Sequence, residues 1–179
     1  MNIFELLTKN NIRIIQLIDK EPLHIRDIAD KLKISPGSAH KLASLLKKEG
    51  LVKEIKQKNR IILSINNEKS IIKEIKRVIN FSDIINAKAF ERLSRLGSLG
   101  IYGSFADGTN DKESDLDLWI KTEKKELELR QTIRELENEM KVKVNLLILT
   151  KSRLESLKKN DPEFYLRLQL TSIGDNVDQ

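Results

Sequence analysis

At 179 residues, with 39% apolar and 34% charged side chains, the chain can form one domain or two small ones, each with a modest core. It has no cysteine and only two histidines, His24 and His40, which excludes disulfides, thiolate metal sites and a histidine zinc site, and no apolar run reaches the ~18–20 residues of a membrane span. The net charge of +6 is uneven: residues 1–80 hold 17 Lys/Arg against 9 Asp/Glu and residues 81–179 hold 16 against 18, which makes the front half the candidate for nucleic acid.

Residues 3–8 (Ile3, Phe4, Leu7) and 11–19 (Ile12, Ile14, Ile15, Leu17, Ile18) read as helical. Glu21-Pro22 ends them, because proline pushes the residue before it out of the helical region. Residues 23–33 place Ile25, Ile28, Ala29 and Leu32 on one helical stripe, with His24 near the start. Ser35 suits an N-cap and Pro36 a first helical position, so the next helix runs over 36–49, with Ala39, Leu42, Ala43, Leu45 and Leu46 inward and Gly50 closing it. Alternation over 51–56 and 60–65 predicts a hairpin around Gln57-Lys58-Asn59. Asn66-Asn67 break the chain, and Glu68 opens a helix carrying Ile71, Ile72, Ile75, Val78 and Ile79. Phe81, Ile84, Ile85, Ala89, Phe90, Leu93 and Leu96 prolong its stripe, with a bend expected at 80–82 and Ser82 as a second cap. Such a stripe either packs on a neighbouring module or forms the seam of a homodimer.

In the back half, residues 98–102 read as a strand, 104–108 as a short helix, 109–113 as a polar loop and 115–121 as a strand. Residues 123–140 read as a helix with Leu127, Leu129, Ile133, Leu136 and Met140 inside, and 142–149 as a strand. Residues 151–159 and 162–170 read as helices, Asp161 capping the second. Gly103-Ser104 would start the short helix with free backbone N–H groups facing an anion. Period 2 puts Asp115 and Asp117 on one face of their strand, with Leu116 and Leu118 on the other. Adjacent carboxylates repel unless a cation lies between them, and Mg²⁺ takes such oxygens together with substrate phosphates. Trp119 shares their face, as a packing residue or a platform for a base.

The helix–helix–turn–helix and hairpin, with the run from Ile25-Arg26-Asp27-Ile28-Ala29-Asp30-Lys31-Leu32 through Leu46-Lys47-Lys48-Glu49-Gly50-Leu51-Val52, resemble the winged helix-turn-helix domain of microbial transcription regulators over residues 8–66. The resemblance implies that the helix opening at Pro36 enters the major groove of double-stranded DNA. Ser35, Gly37, Ser38, His40, Lys41 and Ser44 would then face DNA, with Lys56, Lys58 and Arg60 contributed by the wing. The alternatives are a solvated face or a protein-binding module.

Gly103-Ser104, then Gly108, then Ser114-Asp115-Leu116-Asp117 resemble the signature of the DNA polymerase beta-like nucleotidyltransferases in their minimal form, over residues 85–173. The resemblance implies that Gly103 and Ser104 bind the nucleotide's phosphates and that Asp115 and Asp117 are catalytic, holding Mg²⁺ that bridges a nucleoside triphosphate. It departs at Asn145, where the family places a third carboxylate, and at Asp107, where many members carry a basic residue. Asp111 and Glu113 are the carboxylates nearest in sequence that could substitute.

The expected fold is α+β: a winged helix over residues 1–66, a helical connector over 67–97, and a small mixed-sheet nucleotidyltransferase domain over 98–179. Two functions follow. One is nucleotidyl transfer from a nucleoside triphosphate to a hydroxyl of a protein, an RNA end or a small molecule, a toxin partner being one family-level acceptor. The other is DNA-binding regulation, with the second domain a nucleotide sensor or docking module. A cytoplasmic location is expected, with no membrane partner, because no signal-peptide apolar stretch opens the chain.

Overall fold

The computed structural model describes residues 6–57 and 60–178, and the chain divides into two compact units, Met1–Lys73 and Glu74–Gln179. The expected helical residues Ile3 and Phe4 and the expected wing residue Lys58 lie outside the described residues.

In the first unit, helix α1 (Lys9–Lys20) buries Ile14, Ile15 and Ile18. The expected helix over 3–8 does not run on, since Leu7 and Thr8 form a bend and Thr8 Oγ1 accepts from the Asn11 N–H. After Pro22 the chain stays extended as strand β1 (Leu23–His24), where helix was expected. Helix α2 (Ile25–Leu32) follows and ends at Lys33, whose φ of 57° is left-handed. In helix α3 (Pro36–Lys48), Ser35 Oγ caps the start by accepting from Ser38 N–H at 3.1 Å, and Ala39, Ala43 and Leu46 are buried. Strands β2 (Val52–Gln57) and β3 (Arg60–Ile65) pair antiparallel from Val52↔Ile65 to Gln57↔Arg60. β1 adds to β3 through Leu23↔Leu63 and His24↔Ile62, giving the sheet order β1-β3-β2. His24 Nδ1 lies 3.2 Å from the Ile61 carbonyl oxygen, tying the short strand to the hairpin. Three helices and a hairpin around one core make this unit a winged helix.

Helix α4 (Ser70–Ile85) carries the chain from the first unit into the second. It starts two residues after Glu68 and does not bend at 80–82. Asparagine is a poor helix former, but Asn80 Nδ2 donates to the Phe105 carbonyl at 2.9 Å and to Asn110 Oδ1 at 2.8 Å. The break comes instead at 86–87, before helix α5 (Lys88–Ser94), whose first N–H groups are capped by the Glu139 carboxylate. Val78 and Ile85 remain exposed on α4.

The second unit continues with strand β4 (Ser98–Tyr102), helix α6 (Gly103–Asp107), strand β5 (Leu116–Lys121), helix α7 (Glu126–Met140) and strand β6 (Val144–Leu149). Helices α8 (Lys151–Asn160) and α9 (Pro162–Thr171) and strand β7 (Ile173–Gly174) complete it. The sheet order is β6-β5-β4-β7, with β5 and β6 parallel and the other pairs antiparallel. This mixed sheet has the expected α+β architecture, with two differences. Strand β7 is additional to the expected elements; it pairs Gly100↔Gly174 and Ile101↔Ile173. Leu127, expected inside, is 74% exposed, because at about 100° per residue it falls on the side of α7 away from the buried Leu129 and Leu136.

One sheet face, with Leu99, Ile101, Leu116, Leu118 and Ile120, forms the main core with Ile84, Phe90, Leu93, Leu129 and Leu136. On the other face Trp119 and Leu149 pack with Leu154 of α8, Leu168 of α9 and Val177. Among the described residues, no helix is long and apolar enough to cross a membrane.

Candidate active site

The second face of the sheet is dry around Trp119 and polar at its other end. Tyr102, the last residue of β4, pairs with Asp117 of β5, and Asp117 pairs with Asn145 of β6. Directly paired residues project to the same side, so Tyr102, Asp117 and Asn145 form one row. Asp115 lies just before the strand, and its contact to the same Asn145 Nδ2 places its carboxylate on the side of Asp117.

Asp115 and Asp117 are half-buried and Asn145 is exposed. Asn145 Nδ2 donates to Asp115 Oδ2 at 3.3 Å and to Asp117 Oδ1 at 3.1 Å, so both carboxylates converge on a single atom. Lys143 Nζ adds a positive charge 3.6 Å from Asp115 Oδ2. The amide and the ammonium offset the repulsion between the two carboxylates.

Gly103 closes the row from the loop side. Its φ is +67°, and a Cβ there would lie 2.3 Å from Asp117 Oδ2, so only glycine lets the backbone turn this close to the carboxylate. Ser104 follows in the first turn of α6, half-buried, its carbonyl accepting from the N–H groups of Gly108, Thr109 and Asn110. Lys76 Nζ donates to the Asn110 carbonyl and, with Asn80, fixes the loop between Gly103 and the aspartates to α4.

The possible substitute carboxylates do other work. Asp111 Oδ1 accepts from Glu113 N–H and Ser114 Oγ, which holds its pKa below the ordinary value and commits it to the turn. Glu113 is exposed beside Lys112. Asp107 is exposed at the end of α6. Among the described residues, no group of three or more His, Cys, Asp or Glu is placed to hold a metal. Trp119 is fully buried, its Nε1 donating to Ser172 Oγ at 3.0 Å, which makes it a core residue rather than a platform for a base.

Sequence reasoning misses the aromatic edge of the site. The Tyr102 ring meets Phe164 of α9 edge-on, with centroids 6.1 Å apart at 77°. The guanidinium carbon of Arg167 lies over the Phe164 ring, 5.1 Å from its centroid. Arg153 of α8 donates to the Ile148 carbonyl at 3.1 Å. Burial raises the Tyr102 pKa and the Asp117 charge adds to the rise, while Arg153 and Arg167 oppose it. The one sequence signal for this edge is position: Tyr102 directly precedes Gly103.

In the first unit, Ser35, Gly37, Ser38, His40, Lys41 and Ser44 are all exposed along the first turns of α3, as are Lys56 and Arg60 on the hairpin. The Ser35 and Ser38 hydroxyls lie 2.9 Å apart within the cap, so each is partly used there. A Cβ at Gly37 would meet nothing within 4 Å.

In the second unit, residues 84–168 match the family model described as "Nucleotidyltransferase domain". Two solved structures, both of mutants of Lactococcus lactis ZitR, resemble the chain at 22% and 21% identity, with TM-scores of 0.42 and 0.41. Each match covers 50% of this chain, which spans 62% and 61% of the two ZitR chains. Among curated proteins, none matches this chain.

Proposed function

We propose that the second unit binds a nucleoside triphosphate with Mg²⁺ and transfers its nucleoside monophosphate to a hydroxyl acceptor, and that the first unit binds double-stranded DNA. The observation that carries the first part is the convergence of Asp115 and Asp117 on one point, 3.3 and 3.1 Å from Asn145 Nδ2, within the segment that matches the nucleotidyltransferase domain. A hard cation at that point would take one oxygen from each carboxylate. Turning the Asn145 amide end for end would replace its donor with its carbonyl oxygen and supply a third. Such a donor set suits Mg²⁺ completed by phosphate and water oxygens. Asp115 and Asp117 would hold the cation, which would supply charge compensation for an in-line displacement. The chain's own part is to orient: Gly103 lets the backbone approach, and Ser104 offers its hydroxyl and its backbone N–H to phosphate. With asparagine at 145, Asp115 and Asp117 are the groups in this row that can accept the acceptor's proton. The acceptor class is a hydroxyl on a protein, an RNA end or a small molecule.

A second reading is favoured by the same amide. The Asn145 and Lys143 contacts satisfy both carboxylates without a metal, as a nucleotide-sensing or docking module inside a DNA-binding regulator would require. Titration of ATP, GTP, CTP and UTP with and without Mg²⁺, beside incubation with labelled nucleotide, separates the two. Metal-dependent binding with pyrophosphate release or self-labelling is the expected outcome. Binding without turnover that becomes turnover in Asn145→Asp supports the second reading, since the substitution replaces a neutral amide by a carboxylate. No binding of any nucleotide in either protein removes the enzyme.

The DNA-binding part rests on the basic composition of the first unit and the exposure of one face of α3 and the hairpin. Lys41→Ala and Arg60→Ala are each expected to weaken binding to duplex DNA and to flatten the plot of log affinity against log salt by about 0.9 per lost phosphate contact. Unchanged affinity and slope in both variants would remove the DNA-binding role.

A further inference from the structure

We propose that Tyr102, Arg153 and Arg167, the last held against the ring of Phe164, form the subsite that takes the polyphosphate of the nucleotide beside the Asp115–Asp117 pair. The assignment rests on the nucleotide-binding reading above and names the side chains that would satisfy its charge.

A polyphosphate beside two carboxylates is repelled unless positive charge offsets it, and protein side chains can supply that charge as well as a cation. Position 107, close to the Gly-Ser turn, holds an exposed aspartate of the wrong sign. Lys143 is partly committed to Asp115. Arg153 and Arg167 are exposed and make no ion pair among the described residues. Arg153 gives one N–H to the Ile148 carbonyl, which anchors the guanidinium and leaves the rest of its donors for a ligand. Arg167 lies over the Phe164 ring, its guanidinium carbon 5.1 Å from the centroid.

The chain of contacts from these arginines to the aspartates is continuous. Arg167 lies on Phe164, Phe164 meets Tyr102, and Tyr102 pairs with Asp117. Both guanidinium groups lie within electrostatic range of the Tyr102 phenol. The phenol hydroxyl can donate a hydrogen bond. Among the described residues the Tyr102 hydroxyl has no hydrogen-bond partner. A phenol and two guanidinium groups offer donors on one side, with the Asp115 and Asp117 carboxylates on the other. Phosphate oxygens, which only accept, match that arrangement.

The alternative is that the arginines are solvated and the aromatic pair is packing alone. Calorimetric titration of the full chain with ATP, with inorganic tripolyphosphate free of metal, and with adenosine decides between them. Arg153→Gln and Arg167→Gln are each expected to weaken ATP and tripolyphosphate by about ten-fold or more, as loss of a charge-assisted hydrogen bond does, and to leave adenosine unchanged. Tyr102→Phe should weaken the same two ligands less, and Arg167→Lys should recover only part of the loss, because lysine has no planar fork. If Arg153→Gln melts early because the Ile148 carbonyl has lost its donor, Arg167→Gln carries the test. Full affinity of Arg167→Gln for tripolyphosphate, in a protein that still binds ATP through Asp117, overturns the subsite and leaves the proposed function standing. Metal-free tripolyphosphate binding that survives Asp117→Ala but not Arg167→Gln supports the subsite. No binding of ATP or tripolyphosphate by the unaltered chain overturns both.

Discussion

Asp117→Ala is expected to abolish Mg²⁺-dependent nucleotide binding while the second unit stays folded. Asp117 is the hub of the site: it pairs with Tyr102 on one side and Asn145 on the other, and Gly103 is turned against its carboxylate. Removing it leaves Asp115 as the single carboxylate at the convergence point. Loss of an outer-shell partner alone costs a metal site about 10–100-fold, so loss of a ligand should cost at least about 100-fold. The effect on folding is small for a separate reason. The substitution deletes one hydrogen bond to an exposed amide, but it also relieves repulsion between two carboxylates, and the two changes oppose each other within about 1 kcal/mol. Thermal melts read both quantities at once. The unaltered chain should gain stability with added Mg²⁺ and ATP in proportion to ligand excess over Kd, whereas the variant should start from nearly the same melting temperature and gain none. An equal Mg²⁺-dependent gain in Asp117→Ala would place the metal elsewhere.

Much of this site is legible in the sequence because its signals are local. Period 2 over Asp115, Leu116, Asp117 and Leu118 is enough to assign their faces, and the alternation in 142–149 brings Asn145 opposite Asp117 once the two strands run parallel. Ser35-Pro36 and Asp161-Pro162 start their helices where expected, with both side chains accepting from the first turn. The features that sequence does not reveal depend on partners far away in the chain. The two-residue strands β1 and β7 carry no periodicity of their own, and they exist because Leu63 and Gly100 present open edges. Asparagine usually favours a break in a helix, but the Asn80 amide is spent on Phe105 and Asn110 and the helix continues. The Tyr102–Phe164–Arg167 contact joins residues about sixty apart, which only the packing of α9 on the sheet creates.

The same face of the sheet thus changes character over two residues. At Asp117 it is polar and open; at Trp119 it is closed under α8 and α9. The two ends depend on each other, because the helices that cover Trp119 also carry Arg153, Phe164 and Arg167. A nucleotide bound at the polar end would therefore be held by groups whose positions the dry end determines.

Trp119→Ala tests that dependence and should be the most destabilising single change in the second unit. The indole is fully buried, it packs with Leu149, Leu154, Leu168 and Val177, and its N–H is satisfied by Ser172. Truncation of a buried aromatic to alanine costs about 3–5 kcal/mol, from lost burial and the cavity left behind. Gly100 sharpens the test, since a Cβ there would lie 2.4 Å from Trp119 Cε2. Gly100→Ala should therefore destabilise the unaltered chain but cost much less once residue 119 is alanine, giving a coupling energy that a double-mutant cycle reads directly. Urea unfolding followed by circular dichroism is the measurement, because the chain's single tryptophan is the residue removed and the two units can unfold separately. The loss should fall on one transition and leave that of the winged helix in place. A cost below about 1 kcal/mol, or purely additive effects of the two substitutions, would mean that the indole does not fill the space beneath α8 and α9, and that the placement of Arg153 and Arg167 does not rest on it.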